Sequence, residues 1–297
     1  MRGARRMRVG VASVAALGLL VALPGSAQAA AIPVPLGTAD SFVVLAGAGV
    51  TNTGPTTLNG DLGTFPTTSI TGAGSLTVTG TNHAGDAVTQ GAKTALVTAY
   101  NTAAGEGPTS PISGDLTGKT LTPGVYNSAS SIGLTGLLTL DAAGDKDAAF
   151  VFQAGSTLTT GSGSSVILRN GARSCNVFWQ IGSSATLGTN SKLVGTVLAY
   201  QSITVTTGAT VVGRVLARNG AVTLDTNTII RPTPCTATPT ATPSPQVTAV
   251  PSGAVSTGDG STSGGNDGLG LLTGVLVLAG FGGAGVVATR RRRRLHA

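Results

Sequence analysis

The side chains that catalysis needs are nearly missing from this sequence. It holds one glutamate, Glu106, and, apart from His296 near the C-terminus, one histidine, His83. No Ser-His-Asp arrangement can be assembled without pairing His83 to something the sequence does not indicate. The clustered carboxylates with basic partners that polysaccharide cleavage requires are equally absent. His83 precedes a helical pattern and reads as a capping or solvated residue. Asp141, Asp145 and Asp147 form a small acidic turn, but their spacing is not that of an established Ca²⁺ loop and Lys146 sits among them. No metal, no cofactor and no enzyme activity is therefore expected. Aromatics make up only 3% of the chain, which predicts an aliphatic core. The formal net charge of +7 belongs to the ends: Arg2, Arg5, Arg6 and Arg8 at one, Arg290 to Arg294 at the other. The remainder is close to neutral, which argues against a nucleic-acid surface.

What the chain has in abundance is glycine, 45 residues of it, together with threonine and a repeat. Four segments align on apolar starts: Phe150-Val151-Phe152-Gln153, Val177-Phe178-Trp179-Gln180, Val197-Leu198-Ala199-Tyr200 and Val215-Leu216-Ala217-Arg218. Each is followed by a Thr-rich tetrad, beginning at Thr157, Thr186, Thr204 and Thr223. Thr204 follows Thr186 by 18 residues and Thr223 follows Thr204 by 19. A period of this size with glycine at the corners is the signature of a β-solenoid, in which no coil buries its inner face alone and coils must stack. The first half carries the same unit: Val44 through Leu62 aligns without a gap onto Val197 through Val215, matching Thr51, Thr53 and Thr57 to Thr204, Thr206 and Thr210. Glycines such as Gly161, Gly163 and Gly208 serve corners, since no strand-loop-helix context for a phosphate surrounds them.

Taken in order, residues 1–29 read as a secretory signal: a basic start, the apolar run Val9 to Leu23, and Ala27-Gln28-Ala29 as the cleavage site, with a short membrane anchor as the alternative. Residues 30–236 form the repeat domain. Within it the period changes once. Ala84, Ala87, Val88, Ala92, Ala95, Leu96, Ala99, Tyr100 and Ala103 recur at three and four residues, one face of a helix ending at Gly105. A helix of about 20 residues is about 30 Å long, and six or seven coils stack to a similar height. The helix is expected to lie along the stack on the strands that start each repeat, which are apolar at both alternating positions. Gly114-Asp115-Leu116 echoes Gly60-Asp61-Leu62, and about eight extra residues around 170–174 predict a protruding loop. Cys175 and Cys235, the only cysteines, suggest one disulfide closing the last coils, with two free thiols as the alternative. Residues 237–268 are a Thr/Pro/Ser/Gly-rich spacer. Residues 269–289 are long and apolar enough to span a bilayer, and 290–297 form a basic tail that the positive-inside rule assigns to the cytoplasm. Ser256-Thr257-Gly258 before the span also has the layout of a cell-wall sorting signal, without the usual Leu-Pro-x-Thr-Gly.

Within each tetrad Leu158, Leu187, Val205 and Leu224 are expected to point inward, and their neighbours outward. Stacking then predicts one ladder of Thr157, Thr186, Thr204 and Thr223 and a second of Thr159, Gly188, Thr206 and Asp225, with rungs about 4.8 Å apart. Thr51 and Thr53 extend both if their coil joins the stack. A flat, stiff face of short side chains results. Thr also favours strands for their own sake, so on the residues alone both readings of the face stand.

Several stretches together resemble the ice-binding β-solenoid proteins of bacteria, fungi and polar microalgae. They are Leu36-Gly37-Thr38-Ala39-Asp40-Ser41-Phe42, Thr51-Asn52-Thr53-Gly54, Gly60-Asp61-Leu62-Gly63, Leu121-Thr122-Pro123-Gly124-Val125-Tyr126, Phe150 to Gln153 and Asn176-Val177-Phe178-Trp179. The likeness implies a mostly β fold: a right-handed, three-faced β-solenoid with one long helix alongside, adsorbing to ice. It also allows the first coil to lie elsewhere than at the end of the stack. Some members use a Thr-Ala/Gly-x-Thr/Asn pattern, which Thr207-Gly208-Ala209-Thr210 fits and Thr160-Gly161-Ser162-Gly163 and Thr189-Asn190-Ser191-Lys192 do not. The candidate ice-binding residues are thus Thr51, Thr53, Thr157, Thr159, Thr186, Thr189, Thr204, Thr206, Thr207, Thr210 and Thr223. The expectation is a secreted, surface-tethered, non-catalytic protein whose partners are ice, a membrane through its C-terminal span, and the cell wall if the sorting layout is used. The rival is a surface adhesin or structural solenoid that binds glycan or another cell.

Overall fold

Short aliphatic runs broken by glycine leave no room for long elements, and the computed structural model shows strands of two to eight residues. It describes residues 30–107, 110–112 and 114–233. The signal segment, the spacer, the apolar span, the basic tail and Cys235 all lie outside the described residues. The described part is mostly β with one long helix, α1 (Ala87–Gly105), and every strand pairing among the described residues is parallel. Parallel pairing follows from the repeat, because each coil lays its strands on the same strands of its neighbour.

The pairings fall into three columns. The first holds the apolar starts, Phe42–Ala46, Gly124–Ser128, Phe150–Ala154 and Val177–Ile181, continued by the second halves of Lys192–Ala199 and Thr210–Ala217. The second holds Val50–Thr53, Ile132–Leu134, Leu158–Thr160, Ala185–Leu187, Ile203–Val205 and Val222–Asp225. The third holds Thr56–Asn59, Leu137–Asp141, Ser165–Arg169, Thr228–Ile230 and the first halves of the two long strands. The second column is an eight-stranded sheet, so the stack is taller than the six or seven coils expected. The extra rungs come from Ile70–Thr71 at one end and Gly114–Asp115 at the other. Gly114-Asp115 lies in the second column, whereas Asp61–Thr64 lies in the first, so the two Gly-Asp-Leu stretches are not equivalent.

Coil order departs from chain order. Val44 pairs with Val215 and Thr51 with Thr223, so the first coil sits on the last. Helix α1 makes this possible. It starts beside the N-terminal coils and ends near Gln153, whose Nε2 donates to the Ala103 and Glu106 carbonyls at 2.8 and 2.9 Å. The chain is thus carried to the far end and coils back. Asp86 caps the helix by accepting the Thr89 N–H, and His83 Nδ1 lies 2.7 Å from the Asp86 carboxylate, a capping role. At the junction the segment before the first coil is clamped by two arginines: Asp40 meets Arg214 at 2.6 Å and Arg231 at 2.5 Å. Neighbouring coils approach closely where they turn. A Cβ on Gly213 would lie 1.8 Å from the Gly195 carbonyl oxygen, so no side chain fits there.

The core is mostly aliphatic, as expected, but a few rings are its bulkiest members. Trp179, Phe42, Phe150, Phe152 and Phe178 are among the largest fully buried side chains. Tyr126, Phe152 and Trp179 stack rung on rung, with ring centroids 5.5 and 4.1 Å apart. The rings are few, but stacking places them over one another, so a small number fills the wider coils. The extra residues after Arg169 do not protrude freely: the Asn170 amide donates to both Asp141 oxygens at 2.8 and 2.9 Å. Cys175 is disulfide-bonded, and the described residues hold no free cysteine.

Candidate functional site

The first and second columns differ in what lies outside them. Strands of the first column that start the repeats are buried at nearly every position, and Phe150–Ala154 and Val177–Ile181 at all of them. Their outward side chains, Leu45, Leu216, Leu198, Phe178, Val151 and Val125, pack on Ala92, Leu96, Ala99, Tyr100 and Ala103 of α1. The expected helix dock is therefore the observed one. Strands of the second column alternate, buried then exposed or half-buried, as in Ala185–Leu187 and Val50–Thr53. Leu158, Leu187, Val205 and Leu224 point inward as expected. Their neighbours form the outer surface.

Register fixes that surface. Thr71 pairs with Thr51, Thr51 with Thr223, Thr223 with Thr204, Thr204 with Thr186 and Thr186 with Thr159. Six consecutive rungs thus carry Thr at one position, and Gly133 and Asp115 continue the ladder. Among the described residues, none of these six hydroxyls has a partner within the protein. They are free to bind water, with their methyls beside them.

The first ladder is corrected at Thr157. Phe150 pairs with Val177 and Thr159 with Thr186 in one unbroken register, so the tetrad of this coil starts two residues before the ladder position and Thr157 falls beside the ladder. There its hydroxyl lies 2.8 Å from that of Ser131. Thr71 was missed, although Ile70-Thr71 follows Val50-Thr51 by one coil. The second ladder runs along Thr53, Asp225, Thr206 and Gly188, with Thr53 facing Asp225. Thr206 is pinned, donating to the Leu187 carbonyl at 2.7 Å, and Thr189 lies 3.4 Å from it. Thr207 donates to the Asp225 carboxylate. Thr210 belongs to the third column, paired with Lys192 and Thr228, so the Thr207-to-Thr210 pattern straddles a corner and does not share one face.

The far end of the second column is more polar. Burial pushes the Asp115 carboxyl up. The hydroxyls of Thr117 and Thr135 and their backbone N–H groups outweigh it and hold the pKa at about 2. The acidic turn near residue 141 spends its carboxylates locally. Asp141 accepts the Ala143 N–H, Asp145 accepts the Asp147 N–H, and Lys146 pairs with Asp147. No group of three or more His, Cys, Asp or Glu among the described residues is placed to hold a metal ion.

Comparison with known proteins gives a consistent result. A family described as Ice-binding-like matches residues 44–230. An ice-binding protein of Nostoc sp. (strain HG1) is 52% identical over 205 residues, covering 68% of this chain and 76% of that one. One from Colwellia sp. is 36% identical over 219 residues, covering 67% and 84%. Among solved structures, an ice-binding protein from an Antarctic biological consortium superposes with a TM-score of 0.68 at 48% identity, covering 69% of this chain and 94% of that one. One from the ascomycete Antarctomyces psychrotrophicus gives 0.66 at 45% identity, covering 68% and 99%. The repeat domain, its single helix and its parallel columns are accordingly those of the Ice-binding-like family, to which this chain belongs.

Proposed function

We propose that the chain is a non-catalytic ice-binding protein whose repeat domain is a right-handed, three-faced solenoid. It adsorbs to ice through the outer face of the second column. The observation that carries this reading is the run of six in-register threonines whose hydroxyls are unpartnered among the described residues, on a column that α1 does not cover. Rungs about 4.8 Å apart on a stiff sheet offer water a regular set of anchors. The methyls order the layer between them and the hydroxyls hold it. A molecule that fixes such a layer merges with an ice front, and pinned molecules force the front to curve between them. Thr51, Thr71, Thr159, Thr186, Thr204 and Thr223 are assigned to contact. Thr53 and Thr206 flank them.

Ice recrystallisation inhibition by the purified chain tests the reading. Full loss of grain coarsening control, together with glycan or cell binding, would replace it with the adhesin reading. That rival has one observation in its favour: Tyr200 is exposed at a corner, with the Arg218 guanidinium 5.2 Å from its ring centroid. The proposed setting is extracellular, with the domain held at the cell surface by residues 269–289 or by wall linkage. Protease added to intact cells then releases a fragment containing the repeats. Release only after lysis would reverse the topology. Cys235 is taken as the partner of Cys175, and thiol labelling of unreduced protein should find none reactive.

A further inference from the structure

The mature N-terminus has a prepared site. Ala31, Val34 and Leu36 bury themselves in the cluster formed by α1 and the first column, so the segment leading to the first coil is laid down firmly. Ala30, just ahead of them, and Ile32, between the first two, line a cleft of about 450 Å³ with Glu106 and Val125 at the C-terminal end of α1. Among the described residues that line it, Glu106 alone is charged. One carboxylate oxygen, Oε2, accepts the Ile32 N–H at 3.1 Å. The other, Oε1, is buried and has no hydrogen-bond partner. A half-buried carboxylate with one idle oxygen is costly unless a cation or donor reaches it. The nearest backbone that can supply a new cation is Ala30, because two residues of chain span at most about 7 Å from the Ile32 nitrogen. The sequence sets the cleavage site Ala27-Gln28-Ala29 immediately before that residue.

We propose that removal of the leader after Ala29 places the new α-ammonium of Ala30 on the Glu106 carboxylate, so that processing itself completes an ion pair at the end of α1. This rests on the secretory reading above. Water adds across the Ala29–Ala30 peptide bond in the signal peptidase reaction. Ala29 leaves as a carboxylate, and the amine on Ala30 takes up a proton. Before cleavage the same nitrogen is a neutral amide with a single N–H. Afterwards it carries three donors and a charge, which is what Oε1 lacks. Burial also pushes the Glu106 carboxyl up while it waits, against the opposing Ile32 N–H. This agrees with a site that lacks its counter-charge in the precursor.

The test uses the full chain expressed with its leader in a secreting host. Sequencing from the N-terminus comes first, and a start at Ala30 is expected; any other start overturns both the cleavage reading and the pairing. The α-amine is then titrated by competitive labelling against pH. Its pKa should lie at least about one unit above the ordinary 7.7–8.0, because the charged form is held. In Glu106→Gln, which keeps an oxygen for the Ile32 N–H, it should return to the ordinary value. A start at Ala30 with an ordinary pKa in the unmutated protein, or a raised pKa that survives Glu106→Gln, overturns the pairing and leaves the secretory reading standing.

Discussion

The first and second columns of the stack are built from the same coils by the same alternation, yet one outer surface is sealed and the other is bare. The sealed one carries Leu45, Leu198, Leu216 and Phe178 under a helix. The bare one carries threonine. The difference shows how a repeat protein divides labour between its faces. The covered face joins the coils to one helix. The open face is then free to be chosen for what it presents to water. Even the polar groups of the covered face serve the helix. Gln153 holds its last carbonyls, and the Gln180 Nε2 donates to the Tyr100 hydroxyl at 2.7 Å.

Removing bulk from the covered face should be the most damaging change. Leu198 is fully buried between strand and helix. Leu198→Ala is expected to cost about 2–5 kcal/mol through the cavity it leaves, read from denaturant unfolding. If it costs no more than a surface change, the helix is not sealing that face.

The helix attachment should also respond to pH. Lys93 donates to the Ala217 and Arg218 carbonyls at 2.7 and 2.6 Å. Burial, and secondarily the Arg218 charge, lower its pKa to about 8. The folded state therefore releases this proton at a lower pH than the unfolded chain, whose lysine holds it to about 10.4. Between these values the unfolded state binds more protons, so stability rises with pH. The gain should be up to about 3 kcal/mol across that window. It should disappear in Lys93→Met when both unfolding curves are measured from pH 7 to 11. A slope unchanged by that substitution would mean that the lysine is not desolvated against the stack.

Overpacking the same covered position is expected to do less. Leu198→Tyr should cost about 1–3 kcal/mol, because the ring must displace α1 from the strand. Thermal melting would show the loss. An unchanged midpoint would place that side chain outside the helix dock.

Much of this comparison was legible in the sequence. Two-sided apolar strands against alternating ones distinguish Val197-Leu198-Ala199 from Thr204-Val205-Thr206, and a three-four period marks the helix. What could not be read is register between coils of unequal length. Aligning the tetrads on their first Thr carries Thr157 into the ladder, whereas Phe150 pairs with Val177 and the same register brings Thr159 onto Thr186 instead. Coil order was equally hidden. That the first coil rests on the last depends on long-range pairing of Val44 with Val215, which no local pattern encodes. Likewise, the scarcity of aromatic residues did not reveal that stacking gathers Tyr126, Phe152 and Trp179 into one column.

Thr204 lies inside the six-residue ladder, between Thr186 and Thr223, with its hydroxyl unpartnered among the described residues. Thr204→Tyr raises a ring above a flat surface without entering the core, so stability should change by no more than about 0.5 kcal/mol. Ice recrystallisation inhibition by this variant, measured beside its melting curve and beside the unmutated chain, tests the bare face most directly. The expected result is a normal melting curve with a steep fall in inhibition. A normally folded Thr204→Tyr protein that keeps full activity would contradict the assignment of the second column as the ice-contacting face.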